Sequence, residues 1–414
     1  MVVVSVLAVA SVAAGDDVRE ILARSKQAAG GAAWDSIRTT HTRAKIATGG
    51  LEGTVEIWED QLRGRYVDRF SLGPASGAQG FDGTTVWSQD SARQVRKEEG
   101  GEGREAAAND AYRRSLAYWY PERWEARMED AGESQEGERR FHVVRITPKG
   151  GRPFDLWIDE ATYLIDRTVE KAAIETRTTF LSDYREVNGV RLPHSGRSTN
   201  GEVRYDQFFT LESTEHNAPV EAAVFAIPAP PPPDFALAGG RTSTRVPFEL
   251  LNNHIYVQVG LNGKGPFRLL CDTGGANIVT PGLAQQLGLE TQGALQGRGV
   301  GEKSEDVALT RIDTLQVGDA TLNDQLFAVF PLETLAAAEG VPQQGLIGYE
   351  VFKRFVVKVD YERSELILTL PSAFSYSGDG TVVPFQFNGQ IPQVEGKIDG
   401  IPGSSTSTPA PAPR

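Results

Sequence analysis

From Asp16 to Ile227 the chain consists of short runs in which apolar and polar residues alternate. Thr54-Val55-Glu56-Ile57-Trp58 and Phe154-Asp155-Leu156-Trp157-Ile158 are two of them, and Gly or Asp turns separate the runs. A period of two sends successive side chains to opposite faces of a strand, so this half reads as an antiparallel sheet. A helix from Val18 to Ala29 opens it, stopped by Gly30-Gly31, and the polar stretch from Arg96 to Asn109 reads as a loop or a solvated helix. Ahead of that helix, Val2 to Ala14 is an apolar run closed by small residues. It is too short to span a bilayer and has the h-region and cleavage zone expected of a signal peptide, although no Lys or Arg precedes it. The alternative is a buried strand.

Ile227-Pro228-Ala229-Pro230-Pro231-Pro232-Pro233 interrupts the alternation, because consecutive prolines support neither helix nor sheet. The predicted domains are a signal peptide at 1–14, a half-barrel at 15–227, a Pro-rich linker at 228–244 and a β lobe at 245–382. An incomplete start of a second lobe follows at 383–403, then a disordered Ser/Thr/Pro/Ala tail at 404–414. The fold class is mainly β: an N-terminal antiparallel half-barrel with helices, then a small β-barrel lobe.

A formal net charge of −13 opposes nucleic-acid binding, which requires a basic surface. With Cys271 as the one cysteine there is no intrachain disulfide and no cysteine-cluster metal site, and the five histidines lack metal-ligand spacing. No metal or cofactor is expected. All six tryptophans lie in the first half, where they serve core packing or line an apolar ligand cavity.

Candidate chemistry begins after the linker. Ile255 to Gly260 reads as a strand reaching an Asn262-Gly263 hairpin turn, and the returning strand Phe267 to Cys271 runs into Asp272-Thr273-Gly274-Gly275. Thr280-Pro281 reads as the cap and first residue of a short helix through Leu287, stopped by Gly288. Gln296-Gly297-Arg298-Gly299-Val300-Gly301-Glu302 is a glycine-rich segment suited to a hairpin flap. Gly345-Leu346-Ile347-Gly348 is an apolar strand end followed by a helical turn from Tyr349 to Arg354 and two strands, Phe355 to Asp360 and Glu365 to Leu370. A phosphate-loop reading of Gly297 to Ser304 fails: Glu302, not Gly, precedes Lys303, and Val307 to Ile312 suggests a strand.

This order of Asp-Thr-Gly, flap and Leu-Ile-Gly resembles the retropepsin-like aspartic proteases over Val246 to about Pro384. The resemblance implies that Asp272 is the catalytic carboxylate and that Thr273 and Gly274 hold its loop. It further implies that Leu346, Ile347 and Gly348 support that loop, with Gly297, Arg298, Gly299, Val300 and Gly301 forming the flap. The first half resembles bacterial envelope domains of the lipoprotein-carrier type. The matching features are its opening helix, Phe81-Asp82-Gly83-Thr84-Thr85-Val86-Trp87, Trp157-Ile158-Asp159-Glu160, and Tyr184-Arg185-Glu186-Val187-Asn188-Gly189-Val190-Arg191-Leu192-Pro193. That likeness implies a half-barrel over helices and contact with an apolar ligand or a lipoprotein, but no catalysis.

Peptide hydrolysis by this chemistry needs two carboxylates on one water. Val246-Pro247-Phe248 and Asn262-Gly263 recur as Val383-Pro384-Phe385 and Asp399-Gly400 at an offset of 137, which carries Asp272 onto Pro409. Asp399 reads as a hairpin-turn residue. The expected function is therefore aspartic endopeptidase with Asp272 as this chain's single contribution to the dyad. Either a homodimer through the protease lobe completes it, or the chain is truncated and inactive. The competing class is a non-catalytic envelope protein binding an apolar or lipid ligand. Partners are a peptide or protein substrate and no nucleic acid, and the location is exported, periplasmic or cell envelope.

Overall fold

The computed structural model describes residues 18–98, 101–172, 175–298, 304–388, 390–398 and 401–406. The expected signal peptide, Gly299, Val300, Gly301, Asp399 and residues 407–414 lie outside them.

Helix Val18–Ala28 is amphipathic: Ile21, Leu22 and Ser25 are buried at i, i+1 and i+4, while Glu20 and Arg24 pair on the open face at 2.6 Å. Behind it, thirteen antiparallel strands form one sheet. Strands from Thr39–Thr48 to Val95–Lys97 follow one another to one edge, and those from Gln207–His216 back to Ala126–Glu136 follow to the other. The Thr39–Thr48 and Gln207–His216 strands join the two arms at the centre. The stretch read from sequence as a loop or solvated helix is instead a short strand, Val95–Lys97, and a helix, Gly101–Arg114, that buries Ala111 and Tyr112. The expectation missed the buried face because that helix is bound through charge as well as through apolar spacing. Arg114 donates to Asp68 at 2.8 and 2.9 Å and to Glu59 at 3.1 Å in one arm, while Arg113 donates to Glu170 at 2.7 Å in the other. One helix thereby ties both arms of the sheet together. Ile21, Leu22 and Tyr112 share a core with Ile146, Phe154, Leu156 and Ile158.

The Pro-rich segment forms no strand through Pro233, but the chain enters the second sheet within the expected linker: Phe235–Leu237 pairs with Ala320–Val329. Asp234 anchors this entry through a two-pronged ion pair to Arg354, whose side chain is almost fully buried. The second sheet runs from the hairpin Gln292–Arg298 and Ser304–Val317 at one edge to Val356–Asp360 at the other, and Val259–Leu261 also pairs with Leu315–Val317, which curls it into a barrel. Leu269, Cys271, Ile312, Leu322, Phe327 and Ile347 fill the interior. Val307 to Ile312 lies within the Ser304–Val317 strand, so no phosphate-loop helix exists there.

A third sheet of three strands, Gln386–Asn388, Ile391–Ile398 and Ile401–Thr406, follows. The expected disordered tail is corrected at its start, because 404–406 belong to the last of these strands, held by backbone pairing to Gln393–Glu395. Backbone hydrogen bonding can order a low-complexity sequence that has no apolar pattern of its own.

Candidate functional site

Strand Lys264–Cys271 delivers Asp272. Alternation places Leu269 and Cys271 in the barrel interior, so the next residue leaves the sheet at its end. Burial, helped by the neighbouring Asp272 charge, pushes the Cys271 thiol up to about 12. It is a packing residue rather than a nucleophile.

The Asp loop is closed by its own backbone. The Gly274 N–H donates to Asp272 Oδ1 at 3.0 Å and the Gly275 N–H to the Asp272 carbonyl at 3.2 Å. Strand Gly345–Ile347 runs parallel to the delivering strand, Leu270 opposite Leu346 and Cys271 opposite Ile347, and the Asp272 N–H donates to the Ile347 carbonyl at 3.0 Å. Ile347 thus bonds the first residue of the Asp272-Thr273-Gly274 loop, and Gly348 lies against Gly275 just beyond it. A Cβ on Gly348 would stand 1.9 Å from the Gly275 carbonyl oxygen, and one on Gly345 would stand 2.2 Å from that of Ile278. The two glycines are there because two backbones touch. Gly275 has no room for a side chain either: its Cβ would meet Leu346 Cδ2 at 2.9 Å and Asp272 Oδ2 at 3.0 Å.

Three contributors had no sequence signal. Asn277, 1% exposed, accepts the Gly348 N–H on Oδ1 at 3.0 Å and so pins the supporting strand to the Asp loop. Tyr349 donates its N–H to the Gly275 carbonyl at 2.9 Å and stacks edge-on with Phe387 at 5.4 Å. Ile391, from the third sheet, lies over the loop: a Cβ on Gly274 would meet its Cγ1 at 3.3 Å. A lone Asn in an Asp-Thr-Gly-Gly-Ala-Asn run, a Tyr 77 positions beyond Asp272 and an Ile 119 positions beyond it carry no motif; only the fold brings them here.

Thr280 caps helix Pro281–Leu287 and Gly288 ends it in the left-handed conformation, which fixes the exit of the loop. Gly297 and Arg298 sit in the last rungs of the edge hairpin, opposite Glu305 and Ser304. Gly297 is required sterically, since its Cβ would fall 2.2 Å from Val307 Cγ2. The structure therefore gathers Asp272, Thr273, Gly274, Leu346, Ile347 and Gly348 in one place and puts Gly297 and Arg298 on a separate element. Among the described residues no group of three or more His, Cys, Asp or Glu is arranged to hold a metal ion.

In the N-terminal domain a cavity of about 580 Å³ lies between helix Val18–Ala28 and the start of the Ala126–Glu136 strand, lined by Val18, Leu22, Ala23, Trp119, Pro121 and Met128. Trp119 serves as cavity lining, whereas Trp34 and Trp87 are buried in cores.

Solved structures similar to this chain include a LolA superfamily protein from Nitrosomonas europaea, at 9% identity and a TM-score of 0.39 over 51% of this chain and 98% of that one. Another is a DUF1329 family protein from Desulfovibrio piger, at 12% identity and a TM-score of 0.35 over 50% of this chain and 95% of that one. No curated protein matches the chain. Residues 257–351 match the family model described as aspartyl protease, and that stretch holds both the Asp272 loop and the Gly345–Ile347 strand beside it.

Proposed function

We propose that the chain is an aspartic endopeptidase whose catalytic carboxylate is Asp272. The supporting observation is the Asp272 loop itself, aimed out of a buried strand, closed by backbone N–H groups and braced by a parallel apolar-Gly strand, all within the segment that matches the aspartyl protease family. In this reaction one ionised carboxylate takes a proton from a water as that water attacks the scissile carbonyl, and a second, protonated carboxyl polarises the carbonyl oxygen. Thr273 and Gly274 hold the loop, and Leu346, Ile347 and Gly348 support it. The second carboxylate comes from a second copy, so that two Asp272 side chains share one proton.

Asp272→Asn should abolish cleavage of an unstructured polypeptide while leaving the circular dichroism spectrum unchanged, because an amide neither accepts the water's proton nor shares one. Specific activity of the unaltered chain should rise with concentration and then level off, on the acid side of neutrality and without loss in a chelator. Wild-type cleavage by pure Asp272→Asn protein would exclude Asp272 as the catalyst, and constant specific activity from a strictly monomeric sample would exclude the shared dyad.

The second reading is a non-catalytic carrier of an apolar ligand, favoured by the 580 Å³ cavity lined by Leu22, Trp119 and Met128. Organic extraction of purified protein separates the two: co-purifying lipid together with no cleavage at any concentration supports the carrier. We place the protein in the cell envelope on the strength of the Val2–Ala14 segment; among the described residues no helix is long and apolar enough to cross a membrane.

A further inference from the structure

We propose that the N-terminal domain is a structural part of the protease site, with Leu51, Asn200 and Glu202 acting as positioning residues for the edge hairpin Gln292–Arg298 and Ser304–Val317. The consequence for cleavage rests on the reading of Asp272 given above; the positioning itself does not.

The hairpin is irregular where the domains meet. A bulge between Gln292 and Leu295 leaves Gly293 and Ala294 without rungs to the returning strand. The Ala294 N–H so freed donates to the carbonyl of Gly49 in the N-terminal sheet, at 2.6 Å. The fit is backbone to backbone. Gly293 has φ +83, and a Cβ there would lie 2.7 Å from Leu51 Cγ, while a Cβ on Gly49 would lie 2.6 Å from the Ala294 carbonyl oxygen. Leu51, 3% exposed, fills the space between them.

Polar side chains grip the next rungs. Asn200 Nδ2 donates to Gln296 Oε1 at 2.8 Å, and Gln296 Nε2 donates to Glu202 Oε1 at 3.0 Å. On the other strand Asp306 accepts from Tyr205 Oη at 2.9 Å and pairs with Arg204 at 3.3 Å. Gln296 and Asp306 face each other across the hairpin, so both halves of a single rung are held. Two more contacts keep the lobe from pivoting: Arg311 Nε donates to the Pro74 carbonyl at 2.9 Å, and Lys353, one turn beyond Gly348, pairs with Asp90.

From Ala308 onward the second strand of the hairpin also pairs with Ala320–Val329, so the two-stranded part is the outer rungs from Leu295 opposite Val307 to Arg298 opposite Ser304, and such a ribbon is weakly stable alone. Seated on the N-terminal sheet, its base is fixed relative to the Asp loop through a second set of contacts. The N-terminal domain therefore fixes where the described rungs of the hairpin stand.

Hydrogen exchange followed by mass spectrometry on the full chain tests this without requiring activity. In Gly293→Val, and separately in the double variant Asn200→Ala/Gln296→Ala, peptides spanning 292–298 and 304–311 should exchange about tenfold faster or more, while peptides from 254–271 keep their protection. Should Gly293→Val also loosen 254–271, the double variant decides. Where the chain cleaves peptide, Asn200→Ala should raise KM at unchanged kcat. Unchanged exchange over 292–298 in both variants overturns the proposal, since the hairpin would then be ordered by itself. Faster exchange in a chain that proves inactive supports it and counts only against the reading of Asp272.

Discussion

Gly348→Ala tests whether the Asp272 loop is built by backbone contact. The new Cβ would sit 1.9 Å from the Gly275 oxygen, 2.6 Å from its carbonyl carbon and 3.0 Å from the Asp272 oxygen. All three are backbone atoms, so no side-chain rotation relieves the clash and the strands must separate by about 1.5 Å to reach ordinary contact. That separation breaks three hydrogen bonds: Asp272 N–H to Ile347, Tyr349 N–H to Gly275 and Gly348 N–H to Asn277. At about 1 kcal/mol each, with about 1–2 kcal/mol of residual overpacking, the lobe should lose about 4–5 kcal/mol. The sequence supplies separate probes for the two domains, because every tryptophan lies before residue 158 and the single thiol, Cys271, is buried in the second core. Under urea, thiol labelling reports the protease lobe and tryptophan fluorescence the N-terminal sheet. With a slope of about 2 kcal/mol per molar, the labelling midpoint should fall by about 2 M while the fluorescence midpoint moves far less. Gly282→Ala is the control: nothing lies within 4 Å of its Cβ in helix Pro281–Leu287, and it should stabilise by about 0.5–1 kcal/mol. A labelling midpoint lowered by less than about 0.5 M in Gly348→Ala would refute contact between the two backbones.

Burial alone would raise the Asp234 carboxyl, but the Arg354 guanidinium outweighs it and holds the group below the usual carboxylate range. A lowered carboxyl stabilises the fold above its unfolded value of about 3.9 and loses that contribution as pH falls through the folded value, so Asp234→Asn should flatten the acid limb of the lobe's stability below about pH 4. An unchanged limb would place the acid sensitivity elsewhere. Arg354→Ala should cost about 3 kcal/mol or more by taking from Asp234 its paired cation, while Glu350 keeps Lys353, read as the same labelling midpoint. Ile391→Gly should lower the concentration at which dimers form in sedimentation, because the Ile391 side chain covers Gly274 on the face that a second copy would use; an unchanged dimer curve would show that this face is not the seat.

Local rules reached some of this structure and stopped at others for identifiable reasons. The Thr280-Pro281 cap, the Gly288 stop and the Asn262-Gly263 turn are set by φ preferences and a single hydroxyl, so each is readable within a few residues, and each appears where expected. Cys271 faces the core for a reason as local, the two-residue period of its strand. The helix Gly101–Arg114 was half hidden because Arg113 and Arg114 reach partners at Glu170 and Asp68, far along the chain. Asn277 was hidden more fully: its role depends on Gly348 arriving from 71 residues away, and a single Asn after a glycine pair reads as turn chemistry. The grip of Gly49, Leu51 and Asn200 on the edge hairpin was invisible for the same reason, since Gly-Gly at a strand turn already has a sufficient local explanation.

The repeat at an offset of 137 carries over into three dimensions. Strand His254–Leu261 shifted by that amount is Ile391–Ile398, the third sheet's central strand, and the turn rung Leu261 opposite Lys264 becomes Ile398 opposite Ile401. The copies differ above the turn: the first has a bulge between Val259 and Leu261, whereas the second pairs without interruption from Gln393 to Ile398. In the first copy this hairpin feeds buried apolar residues, Phe267, Leu269 and Cys271, into a barrel; in the second the corresponding positions hold Ser404, Thr406 and Thr408. Backbone pairing alone can make the second hairpin, but it cannot make a core, because hydroxyl side chains contribute little apolar area to bury. What the repeat does supply is a surface: Ile391 of the hairpin lies on Gly274 of the Asp loop, and Phe387 of the preceding strand lies on Tyr349, whose N–H bonds that loop at Gly275.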